Sequence, residues 1–377
     1  MKAKRELALV LVVLSLAALA CNAAQNLPRV VVVYPTPKEN VPPPTPESGS
    51  QKPGGGGIAP QPNGDPTLGL NRARPFPYAS VAHAPDWDYE VLEVLRGNQA
   101  WQVLREANMF NEPPPEGREY LLLRLRVTNS SRKDQEVNSG DYFLTGDRLR
   151  AYSQAALVEP EPRLNGGAGE LIIPPDFSVT GWTVYEIAKD EGNLMLFRSE
   201  IPEPEKRRFL AVTEGASITI DPALLDLLPQ EGGRDPKSPI SPNMLVTTED
   251  WQIEVRAVQR GARVWEVLQA LSSSHKPPPD GMEYALVRVW IRNINADEDY
   301  GWVSSGMFRA LNAKGETFDR PSIIRFPGEK LDARLFPGGE LEGWLALWLP
   351  VDDPAVILAF EENIFNKIYF SLQVTEE

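Results

Sequence analysis

Few residues in this chain have the types and spacing that chemistry requires. The thiol inventory is one residue, Cys21, and the imidazoles are His83 and His275. A nucleophilic triad needs a base fixed by a third group on a rigid scaffold. His83 falls in a proline-rich stretch and His275 in a loop just before Pro277, so neither is placed for that role. One cysteine excludes an internal disulfide and Cys-rich zinc sites, and two histidines nearly exclude multi-His centres. Carboxylates cluster at Asp297-Glu298-Asp299, Asp352-Asp353 and Glu361-Glu362. Calcium would want six to eight oxygens, but the DxDxDG spacing is missing. With 52 acidic against 38 basic residues, net charge −14, these read as solvated acidic loops, and no cofactor is expected. The same excess argues against a nucleic-acid partner, whose affinity comes largely from Lys and Arg on phosphates. Paired carboxylates suited to glycoside hydrolysis occur in any acidic chain, so an envelope hydrolase is the weakest reading and the chain is expected not to be an enzyme.

Cys21 has a better use. Lys2, Lys4 and Arg5 precede an apolar run from Leu7 to Ala20, too short to span a bilayer comfortably and ending in small residues. Ala17-Ala18-Leu19-Ala20-Cys21 resembles the lipobox of bacterial lipoproteins, in its looser form with Ala18 where Leu is preferred. The resemblance implies a lipid-modified Cys21 that anchors the chain to the cell membrane on its extracytoplasmic side. Residues 21–86 hold 14 of the 36 prolines and the run Gly54 to Gly57, a composition expected to form a disordered tether.

Tryptophans supply the binding candidates. Six of the nine match in pairs along the chain (87/251, 101/265, 182/344), as core positions would, whereas Trp290, Trp302 and Trp348 have no counterpart. Trp290 alternates with Tyr284 and Arg288 on one face of its strand, and Trp344 with Trp348 on one face of theirs. If those faces coincide, Tyr284, Arg288, Trp290, Trp344 and Trp348 form an exposed patch for a polysaccharide or protein partner.

Two copies of one domain must position these side chains. Residues 87–129 and 251–293 align without a gap over 43 positions, of which 18 are identical. The match resumes at Ser139 to Phe143 against Ser305 to Phe308, and at Gly181-Trp182 against Gly343-Trp344. Alternating aliphatics such as Leu121, Leu123, Leu125 and Val127, matched by Ala285, Val287, Val289 and Ile291, predict half-buried strands. Further strands are expected at 89–95, 170–173, 180–187, 193–197 and 208–212, then 253–258, 343–349, 355–360 and 367–374. Trp101, Leu104 and Ala107, and their partners Trp265, Leu268 and Leu271, lie three apart and predict one short helix per copy. The fold class is therefore all-β, two tandem sandwiches each with a short helix. The expected domains are a signal segment at 1–20, the tether at 21–86, the first sandwich at 87–222, a linker at 223–249 and the second sandwich at 250–377. Hinge freedom across the proline-rich linker is expected unless the sandwiches share a large apolar contact.

The run from Gly97 and Trp101 through Pro113-Pro114-Pro115-Glu116-Gly117 to Asn129, with its second-copy twin, resembles a family of secreted bacterial domains with an immunoglobulin-like, telokin-like sandwich that includes a mycobacterial immunoprotective antigen. The resemblance implies that fold for each copy and carries no catalytic or binding residue. The function expected is a surface-displayed, non-catalytic binding module, with a cell-wall or polysaccharide ligand on the second-copy tryptophans as the alternative.

Overall fold

The computed structural model describes residues 65, 67–165, 171–199, 203–295, 299–312, 314–362 and 366–373. Cys21, the signal segment, most of the tether and Asp297-Glu298 lie outside them. The first half contains β1 (Val81–His83), β2 (Trp87–Arg96), α1 (Asn98–Ala107), β3 (Arg118–Asn129), β4 (Gln135–Val137), β5 (Tyr142–Thr145), β6 (Leu171–Ile173), β7 (Ser178–Ala188), β8 (Met195–Arg198) and β9 (Phe209–Ala211). The second half repeats the series as β10 (Val246–Thr247), β11 (Trp251–Arg260), α2 (Ala262–Leu271), β12 (Met282–Asn293), β13 (Gly301–Ser304), β14 (Phe308–Leu311), β15 (Asp332–Leu335), β16 (Glu340–Pro350), β17 (Ile357–Glu361) and β18 (Lys367–Ser371). The fold is all-β.

Strand order is the same in both halves. A sheet β1-β2-β3-β7 lies opposite β5-β8-β9, with the pair β4-β6 alongside; β10-β11-β12-β16, β14-β17-β18 and β13-β15 repeat the plan. Aliphatic stripes from the facing sheets make each core, Leu121, Leu123 and Leu125 meeting Leu144, Leu196 and Leu210 in the first half. The second core packs Val287, Val289 and Ile291 against Phe308, Leu358 and Phe370. Even local irregularities repeat. The register slips between Val91 and Glu93 and, 164 residues on, between Val255 and Ala257. After each Pro-Pro-Pro run the chain turns at Gly117 (φ 75°) and Gly281 (φ 76°), a left-handed conformation that only glycine adopts without strain.

Each sandwich begins earlier than composition indicates. Phe76, placed in the tether by its proline-rich neighbourhood, is buried and pairs in parallel with Leu210 beside β9. Its counterpart 164 residues later, Ile240, pairs with Phe370 beside β18, its amide donating to the Tyr369 carbonyl at 2.8 Å. Residues 67–86 therefore belong to the first sandwich, and the later part of the expected linker belongs to the second. Proline content misleads here because one apolar side chain between prolines is enough to add an edge segment when a core is waiting for it.

The two halves meet directly. Leu149 to Ala151 run antiparallel to β15, with Ala151 N–H donating to Arg334 O (2.9 Å) and Phe336 N–H to Leu149 O (2.7 Å). Phe336, fully buried, enters an aromatic cluster on the outer face of the β5-β8-β9 sheet, with ring centroids 5.5 Å from Phe197 and 5.9 Å from Phe209. Arg72 lies over the Phe336 ring at 4.3 Å. This is the shared apolar contact on which hinge freedom was conditional.

Candidate binding groove

The expected aromatic patch is assembled in register and then largely covered. Cross-strand pairing sets Tyr284 opposite Trp348 and Arg288 opposite Trp344, so the outward faces of β12 and β16 do coincide. Helix α2 lies on them. Val264 and Leu268 pack with Tyr284, Leu286 and Ala346, and Trp265 stacks on Tyr284 at 5.7 Å with rings 9° apart. Tyr284 is only 2% exposed. The segment before β15 covers the rest: Ile323 and Phe326 join the same cluster, and residues 329–331 run beside β16, Trp344 N–H donating to Glu329 O and Leu331 N–H to Trp344 O. Trp344 and Trp348 are half-buried, Arg288 lies over the Trp344 ring, and Trp290 sits beneath Arg256 with its indole N–H donating to Glu340 (3.2 Å). The exposure expected of this set is thus corrected. A second small core occupies the face because the helix carries its own apolar stripe and has nowhere else to bury it. The first half does the same with Ala100, Leu104, Tyr120 and Trp182.

The other chemical candidates are structural where they are described. Buried His275 donates from Nδ1 to Leu268 O (2.6 Å), and its Nε2 accepts from the Ile324 and Arg325 amides. His83 meets Asp88 on the exposed β1–β2 hairpin. Asp299 pairs with Arg207, Glu361 with Arg309 and Lys367, and the Glu362 carboxylate accepts from Thr248 and the Asp250 amide. Burial pushes the Glu362 carboxyl above its ordinary range. Among the described residues no group of three His, Cys, Asp or Glu side chains is placed to hold a metal ion. No helix among them is long and apolar enough to cross a membrane.

The exposed indole is Trp302, with 59% of its surface open. It lies on β13, whose pairing with β15 sets Trp302 opposite Arg334 and Ser304 opposite Asp332. Alternation sends Val303 and Leu335 into the core and leaves Trp302, Ser304, Asp332 and Arg334 on one outer face. The Trp302 indole N–H donates to Asp332 (3.0 Å), whose other oxygen takes the Lys330 ammonium (2.9 Å), so the ring is held in orientation. Burial alone would raise the Asp332 carboxyl; the hydrogen bonds from Trp302 and Lys330 outweigh it and hold the group below the usual carboxylate range. Arg334 lies over two rings, Phe143 of the first half at 5.2 Å and Trp302 at 5.7 Å.

Two hollows of about 510 Å³ each adjoin this face and share Asp332. One lies between the halves, with Arg118, Tyr152 and Gln154 on one wall and Trp302 and Arg334 on the other. The second lies in the second half, lined by Ser305, Arg320, Ser322 and Phe326 among others. Within the first, Arg118 pairs with Glu186 (3.0 Å) and Arg150 with Glu329 (2.5 Å), the latter joining the two halves. Burial and the Glu191 carboxylate raise the Tyr152 phenol far above its ordinary value, so it stays a neutral hydrogen-bonding group. Trp302 is unmatched in the sequence but stands outside the expected binding set, because it lies off the β12–β16 face. Its signal was that same lack of a counterpart: the corresponding first-half ribbon pairs Glu136 with Ile172.

No protein-family model matches the chain, and no curated protein is similar to it. Among solved structures, the chain is similar to YcdA of Bacillus subtilis, a candidate lipoprotein, with 14% identity over 39% of this chain and 40% of that one, TM-score 0.28. The match thus spans about two fifths of YcdA. YjhA of Bacillus subtilis is matched at 13% identity over 36% of this chain and 98% of that one, TM-score 0.26. A β-sandwich protein of Clostridium difficile 630 is matched at 11% identity over 36% and 91%, TM-score 0.24.

Proposed function

We infer that the chain is a surface lipoprotein whose paired sandwiches act as one non-catalytic binding module, taking its ligand in the groove around Trp302. Each half is read as an immunoglobulin-like, telokin-like domain of the secreted bacterial family that the Gly97–Asn129 run resembles. The observation that carries the binding reading is the exposed, hydrogen-bonded indole of Trp302 at a junction built by both halves. Exposed aromatic anchors with convergent polar groups are what ligand sites require. The anchor reading rests on the residues before Cys21. Acyl chains on that cysteine bury about 0.8 kcal/mol per CH₂, enough in combination to hold the chain on a membrane.

Both parts have direct tests. In fractionated cells the chain carrying Trp302→Ala, with the groove disabled, is expected in the membrane pellet and the same chain with Cys21→Ser added in the soluble fraction; an unchanged distribution would refute the anchor. Isolated envelope fragments are expected to retain the Cys21→Ser chain and to release the same chain carrying Trp302→Ala. Equal retention of both would refute the binding site.

A further inference from the structure

Charge in the groove runs against the charge of the chain. The molecule carries −14, yet the walls of the two hollows present five cationic side chains, Arg118, Arg150, Arg320, Lys330 and Arg334, against three carboxylates. Three of the cations are neutralised locally, Arg118 by Glu186, Arg150 by Glu329 and Lys330 by Asp332. The other two make no such pair, although the Arg334 charge also acts on the Asp332 carboxylate. Arg334 spends its guanidinium on ring faces, and exposed Arg320 donates to the Ser305 carbonyl; neither forms an ion pair among the described residues. They line different hollows, and the hollows join at Asp332 with Trp302 beside it.

Resting on the binding reading above, the geometry points to an acidic glycan as the ligand: a chain of sugar rings, one seated on the Trp302 indole, with its acidic groups at Arg320 and Arg334. Three features of the groove each select part of that description. The indole offers an apolar face to the C–H side of a pyranose. Ser304, Ser305, Ser322, Gln154 and the paired carboxylates alternate donors and acceptors, which suits hydroxyl groups able to be both. Two guanidiniums in successive hollows, neither in an ion pair among the described residues, suit acidic groups spaced along a chain. The rest of the molecule limits how dense those groups can be. At physiological salt, interactions are screened over about 8 Å, so a short segment with one charge per sugar or so feels the groove and not the distant acidic surface. A duplex nucleic acid, with one charge per ~1.7 Å, would press many phosphates against carboxylates as well.

The test is calorimetric titration of the full chain in detergent with oligogalacturonate, with poly(glycerol phosphate) and with cellopentaose. The second is acidic but has no sugar ring, and the third has rings but no charge. Binding of oligogalacturonate, weakened on raising salt and at least about fivefold tighter than that of either other chain, is expected, and equal or tighter binding of poly(glycerol phosphate) would overturn the assignment. Trp302→Ala should weaken oligogalacturonate binding about tenfold and Trp302→Phe by no more than about threefold. Arg320→Gln, at an exposed position that leaves the fold alone, should weaken it about fivefold and flatten the salt dependence. Equal or tighter binding of cellopentaose, tighter binding of a single-stranded oligonucleotide, or no effect of Trp302→Ala would overturn the assignment. If no glycan binds while envelope fragments still retain the chain through Trp302, the glycan is wrong and the binding module stands.

Discussion

His275 and Asn111 occupy equivalent positions in the two halves and fasten equivalent loops with different side chains. Asn111 donates from its amide to Leu104 O (2.8 Å) and Val158 O (2.9 Å) and accepts from Val158 N–H (3.0 Å). His275 donates to Leu268 O, at the same turn of its helix, and accepts from two amides of the covering segment. The network fixes the Nδ1–H tautomer, and neutral imidazole and carboxamide are interchangeable here because each brings a donor and an acceptor about one ring-width apart. His275→Asn should therefore cost less than about 1 kcal/mol, and His275→Ala about 1–2 kcal/mol, since the Ile324 and Arg325 amides lose their acceptor while Leu268 O keeps the Ser272 amide. Urea melts of the two variants check this. A comparable loss in both would mean that the ring is held by packing alone.

The Gly-Trp pairs 181–182 and 343–344 show how one element is laid on another. In each half the segment before β6 or β15 returns across the edge of β7 or β16 and drops a leucine, Leu164 or Leu331, into the core. A Cβ on Gly181 would lie 2.3 Å from Leu164 N, and one on Gly343 would lie 2.7 Å from Leu331 Cα, both backbone atoms. The tryptophan that follows points outward, beneath the helix and the covering segment. Gly343→Ala should cost about 1–3 kcal/mol, with Gly181→Ala the more damaging of the two because its clash is closer. Thermal melts would show it, and amide exchange should quicken first at Leu331 or Leu164. The duplicated Gly-Trp dipeptide was visible as a pattern, but its reason was not, since the crossing segments carry no recognisable strand periodicity.

At the scale of the molecule, the halves are distinguished by what their second sheets do with the outer face. Phe143, Phe197 and Phe209 project from β5, β8 and β9, where β14, β17 and β18 place Arg309, Ala359 and Tyr369. The first set receives Phe336 and Tyr300 from the second half, and Arg150 adds a carboxylate pair and the Glu340 carbonyl across the same junction. Removing the central ring, Phe336→Ala, should cost about 3–5 kcal/mol and separate one unfolding transition into two in calorimetry. A single transition with unchanged midpoint would mean that the halves are coupled by the backbone pairing at β15 alone. The groove depends on this junction, because Arg118 and Tyr152 reach it from one half and Trp302 from the other.

Local pattern and duplication determined the strand-rich class, the short helices, the alternation that sets Tyr284 with Trp348, and the unmatched status of Trp302. These are legible because a period-two stripe, a three-residue spacing and a gap-free repeat are properties of neighbouring residues. Tertiary structure alone decided which outward faces stay open: helix and covering segment close over Tyr284, Trp344 and Trp348, while the β13–β15 ribbon is left bare at the junction. Even there a trace existed, since Tyr142-Phe143-Leu144 is apolar throughout where Phe308-Arg309-Ala310 alternates, as a strand buried on both faces should be. What covered the second face was a partner far along the chain, and exposure belongs to such long-range packing rather than to any stretch of sequence.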